Sequence, residues 1–246
     1  MKAPHPDWIV PDWPAPKCVR SLITTRNGGV SGGACASFNV GLRTGDDPQA
    51  VAANRALLRE LLPQDPRWLR QVHGARVVTA DSITVPPEAD ASVARSPGTV
   101  CAIMIADCLP VLLTDRSGSV VAAAHAGWRG LAAGVVEATV QAMDVAPSTV
   151  LAYLGPCIGP AAFEVGADVY EALVTKNPLA QCAFLPVRPG KWLADLRELT
   201  RQALARTGAS LVHGEACCTY ADPQRFFSYR RDRATGRMVA LIWRES

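Results

Sequence analysis

Residues 108–125 read CLPVLLTDRSGSVVAAAH: two apolar runs, Pro110–Asp115 and Val120–Ala124, on either side of Arg116-Ser117-Gly118-Ser119. Runs of this kind joined by a short Gly-containing turn predict a β-hairpin. With the turn centred on Ser117-Gly118, antiparallel partners step away from it together, so Cys108 faces Gly127 and His125 lies within two positions of Cys108 across the ladder. Opposite or diagonal side chains on one face of such a pair sit about 4.5–8 Å apart. A thiol and an imidazole therefore meet at the open end of the hairpin, and only a bulge that shifts the register would part them.

The hairpin is flanked by elements of both kinds. Val100–Ile105 and Val150–Leu154 are continuous apolar runs, as in strands buried on both faces, and Met238–Trp243 is a closing strand. Val19–Thr25 leads into Arg26-Asn27-Gly28-Gly29, which predicts a hairpin turn, and Trp68–Thr79 reads as extended with His73-Gly74 interrupting it. Asp46-Asp47-Pro48 opens a helix with Val51, Leu57, Leu58, Leu61 and Leu62 on one face and Pro63 as its stop. Leu131–Met143, Glu164–Val174 and Asp195–Arg206 are further predicted helices, the last with an Asp195/Glu198 capping box and Gly208 as terminator. Strands and helices mix throughout, with no repeat and no Pro/Ser-rich linker. The expectation is a single α/β domain over residues 1–246.

A chain of 246 residues with 49% hydrophobic and 19% charged residues can bury a real core, which excludes disorder. Lys and Arg number 25 against 22 Asp and Glu, giving +3 with the arginines scattered, so a nucleic-acid surface is not expected. No apolar run reaches the 18 or so residues of a membrane span. The start, Met1-Lys2-Ala3-Pro4-His5-Pro6-Asp7-Trp8, is broken by Pro and Asp and does not read as a secretory signal, which places the protein in the cytoplasm. The eight cysteines are then expected as thiols, mostly small hydrophobes such as Cys101.

Two chemistries suit Cys108 beside His125. An imidazole-activated thiolate is a nucleophile for acyl or amide groups. With one more histidine, the pair becomes three ligands of a tetrahedral zinc site whose fourth position is open. Of the four histidines, His5 lies in a Pro-rich terminus, and His73 is preferred to His213 because it interrupts an apolar stretch and needs a polar partner. His213-Gly214-Glu215 matches half of a zinc-deaminase signature, but no P-C-x-x-C follows it, and adjacent Cys217-Cys218 chelate one metal poorly.

At these residues the chain resembles the YfiH-type family, described as purine nucleoside phosphorylases and formerly as laccase-domain or multicopper polyphenol oxidases. The resemblance runs nearly end to end. It rests on residues 24–31 (TTRNGGVS), Ser37-Phe38-Asn39, Asn54-Arg55, Gln71-Val72-His73-Gly74, residues 106–110 (ADCLP) and 125–130 (HAGWRG). Residues 154–159 (LGPCIG), 163–166 (FEVG) and 226–231 (FFSYRR) continue it. It implies a zinc site of His73, Cys108 and His125, and phosphorolysis of adenosine, inosine, guanosine or methylthioadenosine alongside adenosine deamination. It also implies a layered helix/sheet/sheet/helix fold with mixed sheets, like the catalytic domain of cytotoxic necrotizing factors. The other readings are a Cys–His thiol amidase or peptidoglycan-precursor editing hydrolase, and a copper-binding oxidase. Four histidines cannot build a multicopper cluster, although Cu²⁺ could displace Zn²⁺ at a two-His, one-Cys site in vitro.

The expected partners are a purine nucleoside and phosphate, with neither nucleic acid nor membrane, in a monomer or small homo-oligomer. Catalytic roles are expected for His73, Cys108, His125 and Asp107, the last as an acceptor behind the ligands or a proton donor. Arg129, ahead of the Leu131 helix, is expected to clamp phosphate. Arg230 and Arg231 are further candidates, one of them solvated. Asn39 and Gln71 would orient ribose hydroxyls or brace loops, and Glu164 would be a general acid or, preferably, a helix N-terminal residue.

Overall fold

A computed structural model of the chain describes residues 3–245. The chain begins with β1 (Val19–Ile23), α1 (Pro48–Arg59), β2 (Pro66–Arg67), β3 (Val77–Thr79) and β4 (Ala91–Ala94). Next come β5 (Val100–Ile105), β6 (Leu109–Asp115), β7 (Val121–Ala126), α2 (Trp128–Ala133), α3 (Val135–Ala142) and β8 (Val150–Leu154). The remainder holds β9 (Glu164–Gly166), α4 (Ala167–Val174), β10 (Phe184–Arg188), β11 (Lys191–Ala194) and α5 (Leu196–Thr207). It ends with β12 (Leu211–His213), α6 (Tyr229–Asp232) and β13 (Met238–Arg244). No helix among the described residues is long and apolar enough to cross a membrane.

Strand side chains alternate between faces, and that alternation builds the layers. A first sheet has the order β1-β13-β5-β2 and a second the order β12-β8-β6-β7-β4-β3, while β10-β11-β9 forms a small third. Cys101, Ile103 and Ile105 of β5 and Ala240 and Ile242 of β13 point between the two large sheets, where they meet Leu112, Val121, Ala123 and Tyr153 of the second. The alternate residues Val100, Ala102, Val239 and Leu241 face outward onto Leu58 of α1. On the far side, Leu109, Val111, Leu113, Ala122 and Ala124 pack under Val136 and Val140 of α3 and Leu199 and Ala203 of α5. The result is the expected α/β stack of helix, sheet, sheet, helix, with parallel and antiparallel pairs in both large sheets.

The central hairpin has the register expected from its turn, with Leu109 opposite Ala126 and Pro110 opposite His125. Gly118 takes φ +69°, and the buried Asp115 holds the turn by accepting from Ser119 N (2.7 Å), Val120 N (3.2 Å), Ser119 Oγ and Ser117 Oγ. Burial pushes the Asp115 carboxyl pKa up, but these donors outweigh it and hold the pKa below its ordinary value. A carboxylate with a depressed folded pKa stabilises above its unfolded pKa, about 3.9, and loses that contribution as pH falls through the folded value. Asp115→Ala should therefore cost about 2–3 kcal/mol at pH 7 in urea unfolding, with the gap to the parent narrowing below about pH 4. An equal gap at pH 7 and pH 3 would contradict this account.

Several local expectations are corrected. Arg26-Asn27-Gly28-Gly29 is not a hairpin turn, because β1 finds its partner in β13, far along the chain. Residues 68–76 form no strand, and only Val77–Thr79 of the expected extended stretch is one (β3), while β2 lies just before that stretch and joins the other large sheet. The Leu131–Met143 helix breaks at Gly134, whose φ of +89° ends α2 and starts α3. In α1, Asp47 caps Gln49 N as expected, but Asn54 joins Val51 and Leu58 on the buried face while Leu57 is exposed. Asp195 and Gly208 cap α5 as expected, yet Glu198 turns to Gln202 instead of closing the capping box.

Candidate metal centre

β5 ends the first sheet at Ile105 and β6 enters the second at Leu109, so Ala106-Asp107-Cys108 is the link that crosses between the sheets. Asp107 makes the sharp bend with φ +87°. Its carbonyl accepts from Ile158 N (2.9 Å), its Oδ1 from Thr219 Oγ1 (2.6 Å) and its Oδ2 from Arg230 N (2.6 Å). Both carboxylate oxygens are thus committed to neighbouring segments. Asp107 is therefore not the acceptor behind the imidazoles, one of its two expected roles; it fixes the loop that presents Cys108.

The acceptor behind the imidazoles is Asp90, a wholly buried residue just before β4. Its Oδ1 lies 2.9 Å from His125 Nδ1 and accepts from His73 N (2.9 Å), and its Oδ2 accepts from Gly74 N (2.7 Å) and Val72 N (3.1 Å). One carboxylate therefore folds the 72–74 loop, in which His73 adopts φ +60°, and orients the His125 ring. With Nδ1 turned to Asp90, His125 presents Nε2 as its free ligand atom. Little in the sequence singles out Asp90, which stands two residues after Glu88 in Glu88-Ala89-Asp90-Ala91; its role follows from its burial and its partners.

His73, Cys108 and His125 each offer one ligand atom, and these lie within 4.8 Å of one another. The two rings sit 4.8 Å apart at 67°, edge to face. An ion with bonds of about 2.0–2.3 Å can gather three such donors by small side-chain rotations. The cradle is trimmed for it: a Cβ at Gly127 would come within 2.8 Å of Cys108 Sγ and 3.3 Å of His73 Cδ2. In the metal-free protein, burial pushes the Cys108 thiol up, but His125 and His73 overcome it and draw it toward thiolate. Burial likewise pulls His125 down, and Cys108 and Asp90 together raise it. Two imidazoles and a thiolate suit zinc or copper. Among the described residues no second group of His, Cys, Asp or Glu is placed to hold an ion, so a multicopper cluster is not built here.

The chain as a whole is that of a known family. Residues 20–245 match the family described as multi-copper polyphenol oxidoreductase laccase. The chain belongs to this family. Within the laccase-like family it is 52% identical to a protein of Pseudomonas aeruginosa named purine nucleoside phosphorylase, over 96% of this chain and 98% of that one. It is 50% identical to the purine nucleoside phosphorylase YfiH of Escherichia coli, over 96% and 98%. Among solved structures, Neisseria meningitidis protein NMB0706 superposes with a TM-score of 0.95 at 51% identity, covering 98% of this chain and 100% of that one. YlmD from Geobacillus stearothermophilus gives 0.86 at 33% identity, covering 94% and 93%.

The other expected site residues fall elsewhere in this laccase-like chain. Asn39 is wholly buried; its amide bridges Gly41, Thr44 Oγ1, Asp46 and Arg237 N, so it braces a loop and has no atom for ribose. Gln71 is likewise committed, with Oε1 accepting from Met104 N and Nε2 donating to Met104 O, both at 2.8 Å. Glu164 is no helix residue: it lies in β9 and pairs with Arg188 at 2.6 Å. Arg230 lies over the Phe163 ring and donates to Glu164 O, and Arg231 is tied to Thr219 O, Tyr220 O, Phe226 O and Asp232, so both are anchored and half-buried. Arg129 is exposed and lies over the Trp128 ring at 4.3 Å. His213 sits at the end of β12, away from any ligand group, and Cys218 Sγ accepts from Gly159 N.

Proposed function

We propose that this protein is a zinc-dependent purine nucleoside phosphorylase acting on adenosine, inosine, guanosine or methylthioadenosine, with adenosine deamination as a second activity. The observation that carries the reading is the convergence of His73, Cys108 and His125 around a space that Gly127 keeps open. The names of close relatives supply the reaction class. In phosphorolysis a phosphate oxygen bonds to ribose C1′ as the bond from C1′ to the purine nitrogen breaks; that electron pair leaves with the base, which takes up a proton. Bound zinc would supply Lewis acidity, polarising a substrate oxygen or lowering the pKa of a water. The chain's own part is preorganisation. Asp90 keeps His125 on one tautomer and the His73 loop in place, and Asp107 holds the turn that presents Cys108.

Protein purified without added metal should contain one equivalent of zinc and convert adenosine and phosphate to equal amounts of adenine and ribose 1-phosphate. Inosine formed in parallel would report deamination, and a chelator should abolish both. Absence of ribose 1-phosphate from fully zinc-loaded protein would sink the proposal. A second reading has its own support: Asp90, His125 and Cys108 form the orienter, base and nucleophile sequence of a thiol amidase. That enzyme, with a peptidoglycan precursor as a substrate class, would be active after metal removal and inhibited by zinc. Copper loading and a phenol oxidation assay test the oxidase reading.

A further inference from the structure

We infer that Arg237 is the phosphate seat of this centre, its Nε and Nη2 forming a fork for two phosphate oxygens; the assignment rests on the phosphorolysis reading. The placement follows from strand register. β13 runs antiparallel to β5 and its last pair is Met238 with Ile105, so one step further Arg237 lies beside Ala106, the first residue of the link that carries Cys108. The side chain is held from several sides. Arg237 N donates to Asn39 Oδ1 (2.8 Å), Nη1 donates to Thr235 O (3.0 Å) and Gly236 O (2.9 Å), and Cγ lies 2.8 Å from where a Cβ on Gly41 would be.

What remains free is the informative part. Nε and Nη2 make no hydrogen bond among the described residues, and neither is a buried orphan, so both stay accessible. No carboxylate among the described residues lies within ion-pair distance of this guanidinium. Burial pulls its pKa below the usual range, with Cys108, Asp107, Cys35 and Tyr229 close enough to oppose that pull. A partly desolvated cation with a preset planar fork and no acidic partner suits an oxyanion. The other arginines around the centre offer less. Arg231 spends its donors on Thr219 O, Tyr220 O, Phe226 O and Asp232, Arg230 gives Nη1 to Glu164 O and lies over the Phe163 ring without the two-carbonyl anchor that fixes the Arg237 fork, and Arg129 lies exposed on its own helix over Trp128.

The test uses the zinc-loaded enzyme with phosphate varied at saturating nucleoside. Arg237→Gln should raise the phosphate KM about 10- to 100-fold while the nucleoside KM moves by no more than about 2-fold, and Arg237→Lys should fall between parent and Gln variant. A separate readout needs no turnover: inorganic phosphate, compared with chloride at equal ionic strength, should raise the Tm of the parent protein but not that of Arg237→Gln. Unchanged phosphate KM in Arg237→Gln, an equal rise in both KM values, or a selective phosphate effect in Arg129→Ala alone would overturn the assignment. If the parent performs no phosphorolysis, the functional reading fails, while a phosphate-dependent Tm shift confined to proteins with Arg237 still upholds the anion seat. No shift in the parent overturns the seat itself.

Discussion

Cys108→Ala is expected to yield a folded protein with no zinc at equimolar supply and phosphorolysis lowered by more than about 100-fold, beyond the effect of removing a residue behind the ligands. The sulfur is one of three donors within 4.8 Å, and no other His, Cys, Asp or Glu among the described residues is placed to replace it. Only half-buried, at the end of a link, it supports little packing, so stability without metal should change by less than about 1 kcal/mol. Zinc retained at full occupancy, measured by elemental analysis after gel filtration, would falsify the ligand assignment. Cys108→Ser separates the two chemistries further, since a hydroxyl keeps the shape but is a poorer ligand and a poorer nucleophile.

The largest stability effect is expected at Asp90. Its carboxylate is wholly buried and serves His125 Nδ1 together with three successive backbone N–H groups. Asp90→Ala leaves all four without a partner in a space water does not reach, so unfolding of the metal-free protein should lose about 3–5 kcal/mol. Asp90→Asn is the more selective probe. It preserves volume but turns one acceptor oxygen into an NH₂ group facing donors, which frees the 72–74 loop and the His125 tautomer. Zinc affinity, measured against a chromophoric chelator, should drop about 10- to 100-fold. Parent-like affinity in the Asn variant, with an unshifted His125 tautomer by ¹⁵N NMR, would show that the ligands are placed by other means.

What could be read in advance was governed by how local each feature is. The turn at Ser117-Gly118 sets a register that propagates along β6 and β7, so Cys108 and His125 could be paired from spacing alone. β5, β8 and β13 were equally legible because a strand buried on both faces is a plain apolar run. The arrival of His73 was not legible from spacing: a left-handed loop held by a carboxylate 17 residues later has no periodic signature. Asn39 and Gln71 carry the chemistry of ligand contacts, yet they anchor backbone at Arg237 and Met104. Arg237 has no local signature either, since its place beside Ala106 is set by a strand pairing across more than 130 residues.

The order of the first sheet bears on how the molecule is made. β13, the last strand in chain order among the described residues, is inserted between β1 and β5 and pairs with both. Until β13 is added, those two earlier strands present bare edges, the form most prone to sticking to other chains. The three ligand residues are all in place by residue 125, but Arg237 enters only with the closing strand. A chain cut after residue 234 would keep the three residues placed to hold an ion while lacking both the seam of its first sheet and Arg237.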